Sequence, residues 1–218
     1  MDNIELENKF NVEEERLERL LELALISEFA GFTREDVYRI KLHHEYFDTK
    51  SYTLARNHAS YRHSHIEGDD KFRITFKKEE TPGDLSKRLE LKAFVQNGSY
   101  IIGPVSCDYL ESNLAPVVIA RGITGSEKRV WLAMTIINKR TAVKFIRNGV
   151  VLEIGIDNVS YVSPDFKIKN DYELEVEMIE GNDIDALNDF SNGIAIKYDL
   201  KPNIDNKYIR GLKLHNLL

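Results

Sequence analysis

The chain has 218 residues, 42% hydrophobic and 30% charged, with a formal net charge of −6, which suits a soluble globular protein of one large domain or two small ones and argues against a general nucleic-acid binder, since those are basic overall. The lone Cys107 excludes an internal disulfide and points to a reducing compartment. No apolar stretch approaches the ~18 residues of a membrane span and the acidic start is unlike a signal peptide, so a cytoplasmic protein with no membrane partner is expected.

Ile4 to Phe10 alternates apolar and charged residues with period two and reads as a strand. Glu5, Glu7 and Lys9 share one face, with Ile4, Leu6 and Phe10 mostly opposite. Asn11-Val12-Glu13-Glu14 resembles a capping box, and Leu17, Leu20, Leu21, Ala24 and Leu25 follow at helical spacing, so an amphipathic helix ending near Gly31 is expected. Strands are expected over 41–49, 58–66, 71–79 and 87–96. Gly98 and Gly103-Pro104 break the pattern, and a helix is expected over 105–115, extending around 117–121. Strands resume at 131–147, as one piece or two, then at 150–157 and 171–180, with Asn148-Gly149 as a hairpin turn. From Asp183 the pattern reads as a helix, a loop at Pro202 and a last helix holding Tyr208 to Leu214.

Most of these strands carry their charge on one side. Tyr172 to Met178 places Glu173, Glu175 and Glu177 together. Arg73, Thr75 and Lys77 share a face, as do Arg88, Glu90 and Lys92, and Arg140, Ala142 and Lys144. Such faces cannot form an ordinary core. The expected class is therefore α+β: a closed or nearly closed antiparallel eight-stranded β-barrel, a tunnel with a charged interior and helices packed outside, built as one domain over 1–218.

The order of motifs resembles the CYTH family, the triphosphate tunnel metalloenzymes, which includes class IV adenylyl cyclases, thiamine triphosphatases and inorganic triphosphatases. Glu5, Glu7 and Lys9 match its opening Glu-x-Glu-x-Lys. Tyr46-Phe47-Asp48-Thr49 is family-like, Leu54 and Arg56 match a Leu/Arg turn, and Tyr61-Arg62 matches the start of Leu-Arg-x-Arg. Thr75-Phe76-Lys77 resembles Thr-Leu-Lys, and Arg88-Leu89-Glu90 resembles Arg-x-Glu. Asn138-Lys139-Arg140, Glu153 with Asp157, Glu175-Val176-Glu177 and Lys207-Tyr208-Ile209-Arg210-Gly211-Leu212 resemble the later elements. Ser64, Lys92 and Asn206 depart from the pattern, standing where it has Arg, Glu and Ser. The first two change the charge of the inner wall.

The resemblance implies a divalent-metal-dependent triphosphatase acting on inorganic triphosphate or a small organic triphosphate. It implies Mg²⁺ or Mn²⁺ held by Glu5, Glu7, Glu175 and Glu177, completed by Glu153 or Asp157. It implies Arg62, Lys77, Arg88, Lys207 and Arg210 as phosphate-binding residues, and Lys9, Arg56 and Arg140 as catalytic ones. The alternatives it carries are a class IV-like cyclase and a non-catalytic polyphosphate-binding module; a homodimer is left open. The chemistry is coherent, because a polyanion needs converging Lys and Arg while a hard cation needs carboxylate oxygens. Arg73, Lys92 and Lys144 share the charged faces without a motif match. His43, His44, His63 and His65 lack a third ligand in register for zinc, with His63 and His65 expected to point away from the face of Arg62. Trp131 is expected in the barrel wall, and Cys107, with no base partner, is expected to be inert. Tyr46 to Thr49 is expected to be structural, an Asp or Thr hydrogen-bonding a turn.

Overall fold

Alternation with period two becomes extended chain along most of the sequence. A computed structural model describes residues 4–69, 71–81, 86–96, 107–125 and 129–218. The elements are β1 (Ile4–Val12), α1 (Leu17–Leu20), β2 (Glu28–Phe29), β3 (Phe32–Asp48), α2 (Thr53–Arg56), β4 (Ala59–Ile66), β5 (Lys71–Thr81), β6 (Ser86–Gln96), β7 (Cys107–Tyr109), α3 (Ala115–Thr124), β8 (Arg129–Arg147), β9 (Val150–Val162), β10 (Ile168–Glu180), α4 (Ile184–Tyr198), β11 (Lys201–Pro202) and α5 (Lys207–Leu214). Gly98 and Gly103-Pro104 lie outside the described residues, as does the side chain of Cys107.

Eight strands form a ring of antiparallel neighbours in the order β3-β4-β5-β6-β1-β10-β9-β8, which the β3–β8 pairing closes. The ring is uneven. Among the described residues its β1–β6 seam pairs Ile4–Glu7 with Ser86–Leu89, whereas β3 and β8 pair from Thr33 to Asp48. The fold is α+β and tunnel-like. Because the charged faces turn inward, the apolar faces turn outward, and the cores lie between the ring and its covering helices. On one side Leu187, Phe190 and Ile194 of α4 pack on Phe10, Leu174, Val176 and Leu152. On another, Val117 and Ala120 of α3 join Phe47, Leu54, Ile74 and Phe76. Each such Leu or Phe contributes about 1.5–3 kcal/mol by leaving water.

Four sequence expectations shift. The first helix is reduced to one α-turn, α1, between 3₁₀ turns at Glu14–Arg16 and Leu21–Ala24. The capping box does not form, because Asn11 and Val12 are drawn into the β1–β10 ladder opposite Glu173 and Tyr172, and no side chain caps the first turn. The leucines still pack, with Leu20 and Leu23 fully buried. β3 begins at Phe32 rather than near 41, since Thr33–Asp36 is polar edge chain held by pairing with β8 rather than by alternation. Of the helix expected over 105–115, residues 105 and 106 lie outside the described residues and Cys107–Tyr109 is strand; α3 starts after the extended Leu114 with Pro116 in its first turn. β9 continues past 157 to Val162, carried by its ladders to β8 and β10.

Other expectations hold. β8 is one unbroken strand. Asn148 and Gly149 take φ of 50° and 79°, the left-handed pair of a tight hairpin turn. Asp183 caps α4 by accepting from Ala186 N at 2.9 Å, and Asn206 caps α5 by accepting from Ile209 N at 3.0 Å. Asparagine thus performs at position 206 the capping that serine would. Half-buried Trp131 carries the Arg129 guanidinium 4.0 Å from its ring centroid. Gly211 lets α5 lie against the ring, since a Cβ there would meet Tyr161 Cδ1 at 2.6 Å.

Asp48 is the structural member of its motif. Its carboxylate accepts from Thr49 N, Leu54 N and Ala55 N at 2.7, 2.8 and 2.9 Å and from Tyr208 Oη at 3.0 Å. It ties the end of β3 to α2 and to α5 while fully buried. Asp48→Ala is expected to destabilise the fold by about 3 kcal/mol, since it orphans buried donors, and chemical denaturation will read this as a lower midpoint at unchanged m.

A charged tunnel as candidate active site

The ring encloses a cavity of about 220 Å³. Nine Lys and Arg side chains and six Glu line it, a net +3 inside a chain whose formal net charge is −6. The inversion follows from register. β1 and β10 pair Glu7 with Glu177 and Lys9 with Glu175, and β10 and β9 pair Glu177 with Glu153 and Glu173 with Asp157, so one wall is acidic. β4, β5 and β6 supply Arg62, Arg73, Lys77, Arg88 and Lys92 opposite.

Most of these charges neutralise one another. Lys77 Nζ donates to both Glu5 oxygens at 2.6 and 2.8 Å and lies 3.3 Å from Glu90. Arg88 binds Glu7, and Lys92 binds Glu90. Lys9 Nζ sits 3.1 Å from Glu7 and 3.4 Å from Glu175 while only 5% exposed. Arg140 donates from Nε and Nη2 to the two oxygens of Asp157 at 2.7 and 2.6 Å, and also to Glu175. Lys207, reaching in from α5, binds Asp157 at 2.9 Å, Glu175 at 2.8 Å and also Glu173. Tyr38 Oη donates to Glu153 at 2.6 Å.

The carboxyl groups respond accordingly. Burial raises Glu5, but Lys77 outweighs it and holds the group below its ordinary value; burial likewise opposes Lys77 and Lys92 at Glu90, which they bring down to about 2. Burial also opposes Arg140 and Lys207, which keep Asp157 and Glu175 low. Two carboxyls go the other way: burial pushes Glu173 up to about 7 in spite of Lys207, and Glu177 rises further. Among the described residues it has no ion-pair partner, and burial together with Glu5 and Glu7 pushes it up to about 8. A carboxyl raised by like-charged neighbours marks a place short of positive charge. Oxygen donors alone, turned into a wet cavity, fit a hard divalent cation of the Mg²⁺ or Mn²⁺ kind.

The sequence-derived site residues divide by position. Glu5, Glu7, Lys9, Arg62, Lys77, Arg88, Arg140, Glu175, Glu177 and Lys207 line the cavity. Asp157 and Glu153 stand behind it, in contact with Arg140. Arg56 is set apart: it is exposed on α2, its Nε donating to Ser51 O at 2.9 Å, because the chain turns away from the ring after β3. Arg210 also faces away, bound to Asp171 and, at 2.7 Å, to Asn11 Oδ1. Among the described residues Asp157, Glu173 and Glu175 form the carboxylate group whose ligand atoms all lie within 4.8 Å, and Lys207 contacts all three.

Sequence reasoning passed over Glu173, which shared the acidic face, and Arg73, which shared the face of Lys77. It also missed His44, buried in the cavity wall with Nδ1 2.9 Å from Ser64 Oγ. The alternation of β3 carried that signal. Of the other histidines, His58 also lines the cavity, whereas His63 contacts Asp108 at 3.0 Å and packs on Phe47 and Phe72, away from the side of Arg62, and His43 stacks on His65 at 4.7 Å.

An antiparallel eight-strand ring with a charged bore and outer helices defines the tunnel class of folds. No protein-family model matches the chain, and no curated protein matches it. Solved structures do. A candidate adenylate cyclase from Bacillus halodurans is similar over 96% of this chain and 97% of its own, at TM-score 0.63 and 17% identity. HpAC1 from Hippeastrum, a candidate adenylyl cyclase described as having a dominant triphosphatase activity, is similar over 98% and 97%, at TM-score 0.63 and 15% identity. The PH1012 protein from Pyrococcus horikoshii is similar over 94% and 98%, at TM-score 0.53 and 18% identity. The chain has the CYTH, or triphosphate tunnel, fold. No described helix is long and apolar enough to cross a membrane.

Proposed function

We propose that the chain is a divalent-cation-dependent triphosphatase that binds a triphosphate in the tunnel and releases the terminal phosphate to water. The observation that carries this reading is the net +3 bore with an acidic wall in a chain of net −6. A cavity of about 220 Å³ lies below the ~300–1,000 Å³ of sites for drug-sized ligands. It accommodates a phosphate chain, and any organic group remains at a mouth.

In this proposal Glu5, Glu7, Glu175 and Glu177 hold Mg²⁺ or Mn²⁺, with Asp157 or Glu153 behind them. The bound ion supplies charge neutralisation at the phosphoryl oxygens. Arg62, Lys77, Arg88 and Arg140 bind and align the phosphates, and carboxylates already pin the last three, so little ordering cost remains on binding. Lys9, between Glu7 and Glu175, donates hydrogen bonds to the incoming water or to the terminal phosphate. Lys207 neutralises Asp157, Glu173 and Glu175 from α5. Arg56 and Arg210, which do not line the cavity, act from the outside, at the rim. A homodimer and a cytoplasmic setting remain part of the proposal.

The test is phosphate release from tripolyphosphate, ATP and thiamine triphosphate with Mg²⁺, with Mn²⁺ and with EDTA. Release that EDTA abolishes supports the reading. Pyrophosphate release from ATP with formation of the cyclic nucleotide replaces it with the cyclase. Binding of tripolyphosphate without release replaces it with a binding module.

A further inference from the structure

Arg73 and Arg62 differ from the other buried or half-buried cations of the bore. Lys9, Lys77, Arg88, Arg140 and Lys207 each have a carboxylate partner. Arg62 has only a neutral partner: its Nη1 donates to Tyr46 Oη at 2.8 Å, and the Tyr46 ring is stacked on Tyr208 with centroids 5.0 Å apart. Arg73 has no hydrogen-bond or ion-pair partner among the described residues. The Nε atoms of both are buried and unsatisfied.

The ladders put the two side by side. Ser64 pairs with Arg73 and Arg62 with Thr75 across β4–β5, so both guanidinium stems leave neighbouring strands on the same face. His44 pairs with Ser64 from β3 and completes the patch with its ring fixed on Ser64 Oγ. Burial, with Arg62 and Arg73 nearby, holds His44 well below its ordinary value, leaving it a neutral hydrogen-bonding group. Burial and the charge of Arg62 also lower Arg73. The two half-buried guanidinium groups repel one another, and Glu5 and Glu90, which favour both charges, form no ion pair with either among the described residues. An incoming phosphate relieves that repulsion and satisfies the open N–H groups with the bidentate geometry guanidinium favours.

We propose that Arg73 is a further substrate-binding residue, forming with Arg62 and the His44–Ser64 pair an anion subsite for one phosphate of the bound chain. This rests on the triphosphate reading of the tunnel. It also makes Ser64 permissive: a second large cation on β4 would crowd the space that Arg73 fills from β5.

The experiment is isothermal titration of inorganic tripolyphosphate into the wild type, Arg73→Gln, Arg73→Lys and the exposed control Lys167→Gln, with the Tm of each free protein. Arg73→Gln is expected to weaken binding about 10- to 100-fold, the scale of hydrogen bonds to a charged group. The Tm of the free variant is expected to stay or rise, because a repulsion is removed; Arg73→Lys restores part of the affinity, and Lys167→Gln leaves it unchanged. Wild-type affinity in Arg73→Gln overturns the inference while leaving the tunnel reading intact, as does a lower Tm without loss of affinity. If Arg73→Gln does not fold, Arg73→Lys decides, since full affinity there rules out a bidentate role. A wild type that binds no tripolyphosphate overturns the tunnel reading, and this inference with it.

Discussion

Glu7→Gln is expected to reduce metal-dependent phosphate release by at least about 10²–10³-fold, since a cation at a phosphoryl oxygen contributes several kcal/mol to the transition state. Glu7 stands at the centre of the acidic wall. It is 2% exposed, faces Glu177 across the ladder, and contacts both Arg88 and Lys9. Glutamine keeps its volume and one acceptor oxygen but removes the charge that a hard cation needs. Rate against Mg²⁺ or Mn²⁺ concentration separates the explanations. A ligand role raises the half-saturating concentration, so excess metal recovers part of the rate. A purely structural role lowers Tm and leaves that concentration where it was. Wild-type metal dependence in the variant would remove Glu7 from the proposed set.

The second large effect is on stability. Arg140→Met is expected to destabilise the fold by about 3–5 kcal/mol, because it strands the carboxylates of Asp157 and Glu175 in the interior. Asp157 is fully buried, and both of its oxygens accept from Arg140. Lys207 remains as a partner, but one ammonium among Asp157, Glu173 and Glu175 cannot replace a planar fork. Arg140→Lys is therefore expected to recover less than half of the loss. Gly155 belongs to the same arrangement: a Cβ there would come within 2.6 Å of the Arg140 guanidinium carbon, so the bare backbone leaves the space that guanidinium occupies. Denaturant midpoints of both variants check the prediction. A change under 1 kcal/mol in Arg140→Met would mean that the carboxylates find water or Lys207 without loss.

The strands of the ring were legible because their signal is local. Alternation at Glu5, Glu7 and Lys9, at Arg73 and Lys77, and at Glu173, Glu175 and Glu177 assigns each residue a face, and the pleat keeps it there. Charge on the face that must close inward then implied a wet bore. The hairpin at Asn148-Gly149 was local in the same way. The failures were places where pairing outweighs local pattern. The polar run Thr33–Asp36 is strand because β8 holds it, and Asn11-Val12 leaves its capping box for the ladder with β10.

The sequence by itself determined which residues carry charge and which of them share a strand face. Whether a given charge is free or neutralised was decided only by the tertiary structure, because that depends on register between strands far apart in the chain and on α5 reaching in from the C-terminal end. Nothing local distinguishes Lys207, held by three carboxylates, from Arg73, held by none. Nor does anything local separate Arg56, turned outward on α2, from Arg62 inside the bore. Electrostatic energy falls with distance in space and is blind to distance along the chain, so the closing of the ring alone set those differences.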